Sequence, residues 1–329
     1  MYAYLSVIVV FFASLIGVEI WMRAAKRFGM LGEDVHKRGR PKIPEMGGVV
    51  ILPSLLAGLL VLYITSARYF FEFGFIVAIA GGAWLLGIID DVLDLRALPK
   101  FSLSLLIGLP IFIFINPFQH PLLVPFMRPV RIPLAYPFLA LALIGGAANS
   151  LNSYDVVNGS ATFSATLIAT VIGVVLFLRG DLGLATIVGM IAASSFVLFI
   201  FNMYPARLFI GDTGSFSLGA AIAAAAIVSY NESFLFVALL PMIINAAAKF
   251  MSVGKIYEHH RQKVRITYVN DQGKIASYPE KGAISLVRLL VVPEPLTEFQ
   301  VFLGLSLLET IATVFALLLV PFFGVPLHW

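Results

Sequence analysis

Apolar segments of membrane-spanning length, separated by short polar stretches, follow one another along most of this chain. A helix needs about 20 apolar residues to cross the hydrocarbon layer of a bilayer. The strict alternation of a half-buried β-strand is absent, so we expect helices rather than a barrel to satisfy the backbone polar groups. The pattern predicts about ten membrane-spanning helices, at residues 2–22, 47–66, 69–89, 101–115, 134–151, 161–178, 182–202, 214–230, 233–252 and 299–322.

The composition agrees with an all-α, polytopic integral membrane protein. Hydrophobic residues make up 60% of the chain and charged residues 12%, and the mean hydropathy is +0.97. A soluble domain would have about 45–50% apolar and about 25% charged residues. The absence of cysteine excludes disulfides, thiolate metal sites and thiol nucleophiles. We expect one membrane-embedded domain over residues 1–329, with a loop excursion at about 253–298 and no nucleic-acid partner.

Basic residues are shared unevenly between the two sets of alternating loops. The set that includes residues 23–46, 90–100, 203–213 and 249–298 holds 18 of the 22 lysines and arginines. Because Lys and Arg are enriched in cytoplasmic loops, this set is predicted to face the cytoplasm, with both termini outside. Most acidic and amide residues of the loops share that side, whereas the outer loops are short or proline-rich and carry little polar chemistry.

Paired carboxylates end one apolar segment, in "GIIDDVLDLRALPK" at residues 87–100. The negative end of the helix dipole is a poor place for Asp90 and Asp91, so we expect them to meet a cation, either a metal ion or Lys100. Mg²⁺ is usually held by one or two carboxylates together with substrate phosphates. The alternative is that the two acids only stop the helix at the membrane interface.

Two further polar motifs follow on the same side. In "NSLNSYDVVNG", Asn149 and Asn152 are three residues apart and share a helix face that suits a polar cleft, while Asn158 has capping as its alternative role. In "RLFIGDTGS", Asp212 lies between two glycines that allow close backbone approach, with N-capping as its alternative. Together the motifs predict a divalent cation that bridges protein oxygens to a pyrophosphate.

These motifs, with "IPEMGG" before the second segment, resemble in order and spacing the polyprenyl-phosphate N-acetylhexosamine-1-phosphate transferases. The resemblance covers essentially the whole chain and implies an integral membrane enzyme that moves a sugar 1-phosphate from a UDP-sugar to a polyprenyl phosphate. The bacterial phospho-MurNAc-pentapeptide branch has a three-histidine loop where this chain reads "EHHRQKVRITYVNDQGKIASY". That stretch is more similar to the dolichyl-phosphate GlcNAc-1-phosphotransferase branch, although Asp155 is closer to the bacterial pattern.

The resemblance also implies roles for individual residues. Asp212 and Asn152 match the Mg²⁺ ligands, with Mn²⁺ as an alternative ion, and Lys100 matches the lysine on the donor pyrophosphate. Asp90 and Asp91 match the paired aspartates, of which one is a base or orients the acceptor. Substrate contacts are implied for Glu45 and Phe209 at the nucleoside, for Asn158 at the uracil edge, for Asn149, and for His260 and Arg261 at the sugar and phosphate. The last loop can be aligned in two registers, so Lys263 and Arg265 are alternatives to Arg261.

The expected function is transfer of GlcNAc-1-phosphate from UDP-GlcNAc to a dolichyl-type phosphate, the first step of lipid-linked oligosaccharide assembly for N-glycosylation. The site would face the cytoplasm, in a prokaryotic plasma membrane or in the endoplasmic reticulum, and the resemblance allows a homodimer. The alternative enzyme uses undecaprenyl phosphate and another hexosamine for cell-envelope glycans. A transporter for nucleotide-sugars or lipid phosphates is a remote alternative, because no internal repeat is evident.

Overall fold

The computed structural model describes residues 4–65, 69–253, 267–278 and 284–322, and it is predominantly helical. Two 3-10 turns, Gly47–Val50 and Val320–Phe322, each adjoin a longer helix. The helices are α1 (Tyr4–Phe28), α2 (Ile51–Thr65), α3 (Phe70–Leu93), α4 (Ala97–Leu106), α5 (Ile111–Phe114), α6 (Tyr136–Tyr154), α7 (Ser160–Leu178), α8 (Leu182–Asn202), α9 (Gly211–Val228), α10 (Glu232–Ala238), α11 (Leu240–Val253), α12 (Leu286–Val291) and α13 (Glu298–Leu319).

Two short antiparallel hairpins lie outside the apolar segments. Strands β1 (Leu31–Glu33) and β2 (Lys42–Pro44) pair after α1, with Gly32 opposite Ile43. Strands β3 (Thr267–Val269) and β4 (Ile275–Ser277) pair in the segment between α11 and α12. Neither hairpin was predictable from the sequence pattern, because three-residue strands are too short for a periodic signal. The all-α class is confirmed.

Within the described residues, eight helical segments are long and apolar enough to cross a membrane, and α10 with α11 makes a ninth that is bent by 56°. The predicted segment at 101–115 is the pair α4 and α5, interrupted by a turn at residues 107–110. The predicted count of ten includes α6, which falls outside this set because its last turns are polar. Even so, α6 runs the length of α9: Asn152 meets Asp212 at one end and Tyr136 meets Glu232 at the other.

The helix α9 forms the centre of the bundle and is buried along nearly its whole length. Its sequence, "GDTGSFSLGAAIAAAAIV", is almost entirely small residues, which let helix backbones approach closely within a membrane. It packs between α3 and α6. A Cβ atom added at Gly87 of α3 would lie 2.4 Å from the Cα of Thr213, and one added at Gly219 would lie 2.6 Å from the Ala147 carbonyl oxygen. The sequence therefore brings the first turn of α9 directly against α3.

We predict that Gly87→Ala destabilises the protein, whereas Gly146→Ala does not. Both glycines lie inside helices, so the gain in helix propensity is similar, but the space around Gly146 is open to beyond 4 Å. At Gly87 the added methyl group meets backbone atoms that cannot rotate away, and such overpacking costs about 1–3 kcal/mol or more. Apparent midpoints of thermal unfolding in detergent would measure this difference. Equal midpoints for the two variants would contradict the close packing of α3 on α9.

Candidate active site

The carboxylate of Asp91, at the end of α3, holds the first turn of α9. Its Oδ1 accepts a hydrogen bond from the backbone N–H of Asp212 at 2.8 Å, and its Oδ2 accepts from the N–H and the hydroxyl of Thr213 at 2.9 and 2.6 Å. The first N–H groups of a helix have no partner within the helix and carry positive partial charge, so they suit a carboxylate. Gly211 precedes them with φ of +70°, and a Cβ atom there would lie 2.8 Å from Asp91.

Asp212 is the point at which four helices meet. The ammonium group of Lys100, in α4, forms ion pairs with the carboxylates of Asp212 and of Asp90 in α3. The amide of Asn152, in α6, donates to Asp212 Oδ1 at 2.5 Å and to the hydroxyl of Ser215 at 3.0 Å. We call Asp90, Lys100, Asn152 and Asp212 the Asp212 cluster. The structure thus brings together four residues that the sequence analysis assigned to one site.

The turn between α3 and α4 positions Lys100. Asp90 Oδ1 accepts a hydrogen bond from the backbone N–H of Leu95 at 3.0 Å, which fixes the turn after α3. The ammonium group of Lys100 also lies 4.9 Å from the centre of the buried Phe216 ring of α9. Asn149 donates to the hydroxyl of Ser104 at 2.6 Å and so ties α6 to α4 one turn beyond Lys100. The Asn149 amide is therefore used to align two helices.

Two of the predicted motifs pair through their backbones. Phe209 donates its N–H to the Pro44 carbonyl and accepts from the N–H of Gly47, both at 2.8 Å, and Gly48 donates to the Ile210 carbonyl at 2.9 Å. The carbonyl of Glu45 accepts a hydrogen bond from the Trp21 indole at 2.7 Å. These bonds place "IPEMGG" and "RLFIGDTGS" side by side next to the start of α9, with the side chains of Glu45 and Phe209 partly exposed.

Carboxylates outnumber ammonium groups around the cluster. Burial raises the pKa of Asp155 to about 7, and the negative charges of Asp212 and Asp91 act in the same direction. Burial and the charge of Asp91 also raise the pKa of Glu45. Among the residues that the structure describes, Lys100 is the lysine that forms ion pairs in the cluster, with Asp90 and Asp212. The electrostatics therefore favour binding of a further cation, together with anionic ligand groups.

A magnesium ion fits this set of oxygen donors in part. Asp212 supplies a carboxylate and Asn152 an amide beside it, and both are ligand types that Mg²⁺ accepts. Asn152 directs its nitrogen to Asp212, so ligation through its oxygen requires the amide to turn over. Within the described ranges, no group of three or more His, Cys, Asp or Glu side chains is arranged to hold a metal ion. Substrate phosphate oxygens would have to complete the coordination.

Asn158 lies in a different group of contacts, not in the Asp212 cluster. Its amide donates to Asp34 Oδ2 at 3.1 Å, and its backbone N–H donates to Glu298 Oε1 at 3.1 Å. Lys37 forms an ion pair with Asp34 and lies 3.8 Å from Glu298 Oε2. Asn158 is 6% exposed. Its amide therefore joins the β1–β2 hairpin to the α6–α7 turn, and a uracil edge would have to compete with Asp34 for it.

The two predicted residues His260 and Arg261 lie outside the described residues, as do the register alternatives Lys263 and Arg265.

One basic residue near the cluster was not proposed for the site. Lys249 of α11 donates a hydrogen bond at 3.0 Å to the carbonyl of Ser153, the residue that directly follows Asn152. The sequence could have indicated Lys249 as a candidate, because it is a lone lysine in the apolar stretch "IINAAAKFMS" and ionisable residues within membrane spans are functional candidates.

The other end of the bundle holds a buried polar group that the sequence analysis did not expect. His120 Nε2 lies 2.8 Å from Glu232 Oε1, and the Tyr136 hydroxyl donates to the same oxygen at 2.6 Å. The His120 ring stacks on that of Tyr230 at a centroid separation of 4.4 Å. This group follows the end of α9, whose 18 residues span about 27 Å at 1.5 Å per residue. The loops at this end of the bundle therefore carry more polar structure than predicted.

Comparison with known proteins finds similarity to membrane enzymes that transfer sugar phosphates. A model of the family described as glycosyl transferase family 4 matches residues 73–230, which include the Asp212 cluster. The chain is 24% identical over 319 residues, 96% of each chain, to "Putative UDP-N-acetylglucosamine–dolichyl-phosphate N-acetylglucosaminephosphotransferase" of Saccharolobus solfataricus. It is 25% identical over 323 residues, 93% of this chain and 95% of the relative, to phospho-N-acetylmuramoyl-pentapeptide-transferase of Streptococcus pneumoniae serotype 2.

We predict that Asp91→Asn lowers stability by about 1–3 kcal/mol, because an amide nitrogen would replace an acceptor that faces N–H groups of α9. Asp94→Asn, in the exposed turn after the same helix, is the matched control and should cost less than Asp91→Asn. Asp94 has φ of +49°, a conformation that asparagine tolerates well. Thermal unfolding of both purified variants would measure the difference, and an unchanged midpoint for Asp91→Asn would refute the anchoring role.

Proposed function

Since the chain belongs to the polyprenyl-phosphate hexosamine-1-phosphate transferase superfamily, we propose that it transfers GlcNAc-1-phosphate from UDP-GlcNAc to a dolichyl-type phosphate. The products are UMP and a lipid-linked GlcNAc pyrophosphate, which would begin lipid-linked oligosaccharide assembly for N-glycosylation. The observation that carries the proposal is the ion pairing of Lys100 with both Asp90 and Asp212, beside the amide of Asn152.

The chemistry of this transfer suits the residues of the cluster. An oxygen of the acceptor phosphate attacks the phosphorus that carries GlcNAc, a new P–O bond forms, and the bond to the UMP phosphate breaks with its electron pair. The acceptor oxygen is already anionic at neutral pH, so no strong base is required. Phosphoryl transfer depends mainly on positioning and on neutralisation of charge. Lys100 can leave its carboxylate partners and place a point charge on the donor pyrophosphate.

The two paired aspartates would then have different roles. Asp91 accepts three hydrogen bonds from α9, which supports a role in holding the site together rather than in proton transfer. Asp90 pairs with Lys100 and with the turn after α3, which supports a role in directing the lysine. Mg²⁺ held by Asp212 and Asn152 would supply neutralisation of the phosphate charges. Phe209 and Glu45 lie beside the start of α9, which supports a nucleoside contact there.

A second candidate acts on an undecaprenyl phosphate and another hexosamine. The similarity to the pneumococcal phospho-N-acetylmuramoyl-pentapeptide-transferase is as high as that to the archaeal relative, and it also extends over nearly the whole chain. We favour UDP-GlcNAc because of the sequence after α11, which resembles the dolichyl-phosphate branch. The excess of basic residues in the loops on the side of the Asp212 cluster supports a site that faces the cytoplasm.

A panel of donors and acceptors tests the proposal. Purified protein would receive radiolabelled UDP-GlcNAc or UDP-MurNAc-pentapeptide, each with dolichyl or undecaprenyl phosphate and with Mg²⁺. We expect UDP-GlcNAc with dolichyl phosphate to give the fastest formation of UMP and lipid-linked product. Product from UDP-MurNAc-pentapeptide alone would favour the second candidate. The absence of a lipid-linked pyrophosphoryl sugar in every combination would contradict transferase activity.

The variant Asp212→Asn, assayed in the same panel, tests whether transfer requires the charge of Asp212. The amide keeps the size of the side chain, and α9 stays anchored because Asp91 binds the backbone N–H of residue 212 rather than its side chain. We expect transfer to fall by about a hundredfold or more, the scale on which charge-stabilising groups act, with unchanged elution in size-exclusion chromatography. Full Mg²⁺-dependent activity in this variant would remove Asp212 from the mechanism.

A further inference from the structure

Lys249 lies in α11, the second helix of the bent pair α10 and α11. Its ammonium group donates to the carbonyl of Ser153 at 3.0 Å, at the end of α6. Asn245, one turn earlier on α11, donates to the same carbonyl, also at 3.0 Å. Ser153 directly follows Asn152, whose amide contacts Asp212. The carbonyl that Lys249 contacts therefore belongs to the residue next to Asn152, a member of the Asp212 cluster.

The charge of Lys249 is not compensated within the part of the protein that the structure describes. Lys37 and Lys100 each form ion pairs with carboxylates, whereas no described carboxylate lies within 4 Å of the Lys249 ammonium group. The side chain is partly buried between α11 and α6. A buried ammonium group that lacks an anionic partner is costly, so its retention calls for an anion that comes from outside these residues.

A purely structural role does not account for the charge. Lysine near the end of a helix can bind the last carbonyl groups and interact with the helix dipole. However, Asn245 already donates to the Ser153 carbonyl, and its own oxygen accepts from the backbone N–H of Leu286 at 3.0 Å. Asn245 alone therefore ties α6, α11 and α12 together. The ammonium group has three N–H donors, and the Ser153 carbonyl takes one of them.

The two faces of α11 indicate where the anion comes from. Asn245 and Lys249, spaced by four residues, lie on one face toward α6. Ile244 and Met251 lie on the other face, and their side chains are 54% and 79% exposed. In a bilayer this outer face would contact lipid. A lipid headgroup can therefore reach Lys249 along α11 without leaving the membrane.

We infer that Lys249 binds the phosphate monoester of the lipid acceptor, while Lys100 serves the donor pyrophosphate. This inference rests on the proposed function. The two lysines would approach Asn152 and Asp212 from different helices, so that each substrate phosphate meets its own ammonium group. The acceptor oxygen would then face the donor across the end of α6.

Lipid binding and kinetics of Lys249→Gln and Lys249→Arg test this assignment. Glutamine keeps a donor for the Ser153 carbonyl but removes the charge, and arginine keeps the charge. Lys26→Gln, in the exposed last turn of α1, is the matched control. We expect Lys249→Gln to raise KM for the lipid phosphate about 10- to 100-fold, with little change in KM for UDP-GlcNAc, and Lys249→Arg to restore most of the loss.

A binding measurement separates this inference from the proposed function. Thermal stabilisation of each protein would be compared for dolichyl and undecaprenyl phosphate against the corresponding free alcohols, without donor. Wild type and Lys26→Gln should prefer the phosphates, and Lys249→Gln should lose that preference, even if no transfer were detected. A preference retained in Lys249→Gln, or a change confined to UDP-GlcNAc binding, would overturn the inference.

Discussion

The first turn of α9 is held by the carboxylate of Asp91, and the arrangement of the site depends on this contact. Three hydrogen bonds from Asp212 and Thr213 end on one side chain that is 121 residues away in the chain. The contact requires α3 and α9 to approach at Gly87, and it requires the unusual backbone conformation of Gly211. Within a bilayer the hydrophobic effect does not drive helices together, because lipid tails are as apolar as the helix surfaces. Small residues and polar contacts of this kind therefore determine how the helices pack.

Once α9 is in place, charge determines what the site can do. Lys100 pairs with Asp90 and Asp212, while burial, together with the charges of Asp212 and Asp91, raises the pKa of Asp155. Such a group of carboxylates is unfavourable unless cations join it, and the proposed nucleotide pyrophosphate with a divalent ion would bring charges of both signs. Polar residues are therefore concentrated at the end of α9 where Asp212 lies, while most of its length consists of alanine, glycine and other small residues.

Much of this arrangement followed from the sequence. The convergence of Asp90, Lys100, Asn152 and Asp212 was predictable, because each lies at the end of an apolar segment and alternate ends share one side of a membrane. The exact hydrogen-bond and ion-pair partners of these residues were not predictable. The roles of Asp90 and Asp91, for example, depend on which of the two carboxylates faces α9. Asn158 has the same local signals as Asn152, yet it meets Asp34 and Glu298 from distant segments. The pairing of His120 with Glu232 likewise depends on helix packing that no local pattern encodes.

The central claim is that the Asp212 carboxylate joins Lys100 and Asn152 into one functional unit. A double-mutant cycle on the transfer rate tests it most directly, with wild type, Lys100→Gln, Asn152→Ala and the double variant compared at saturating lipid acceptor. Groups that act through a shared partner have non-additive effects. We predict that the double variant is about as slow as the slower single variant. Rates that fall by the product of the two single effects would show that the two residues act independently, and would contradict this account.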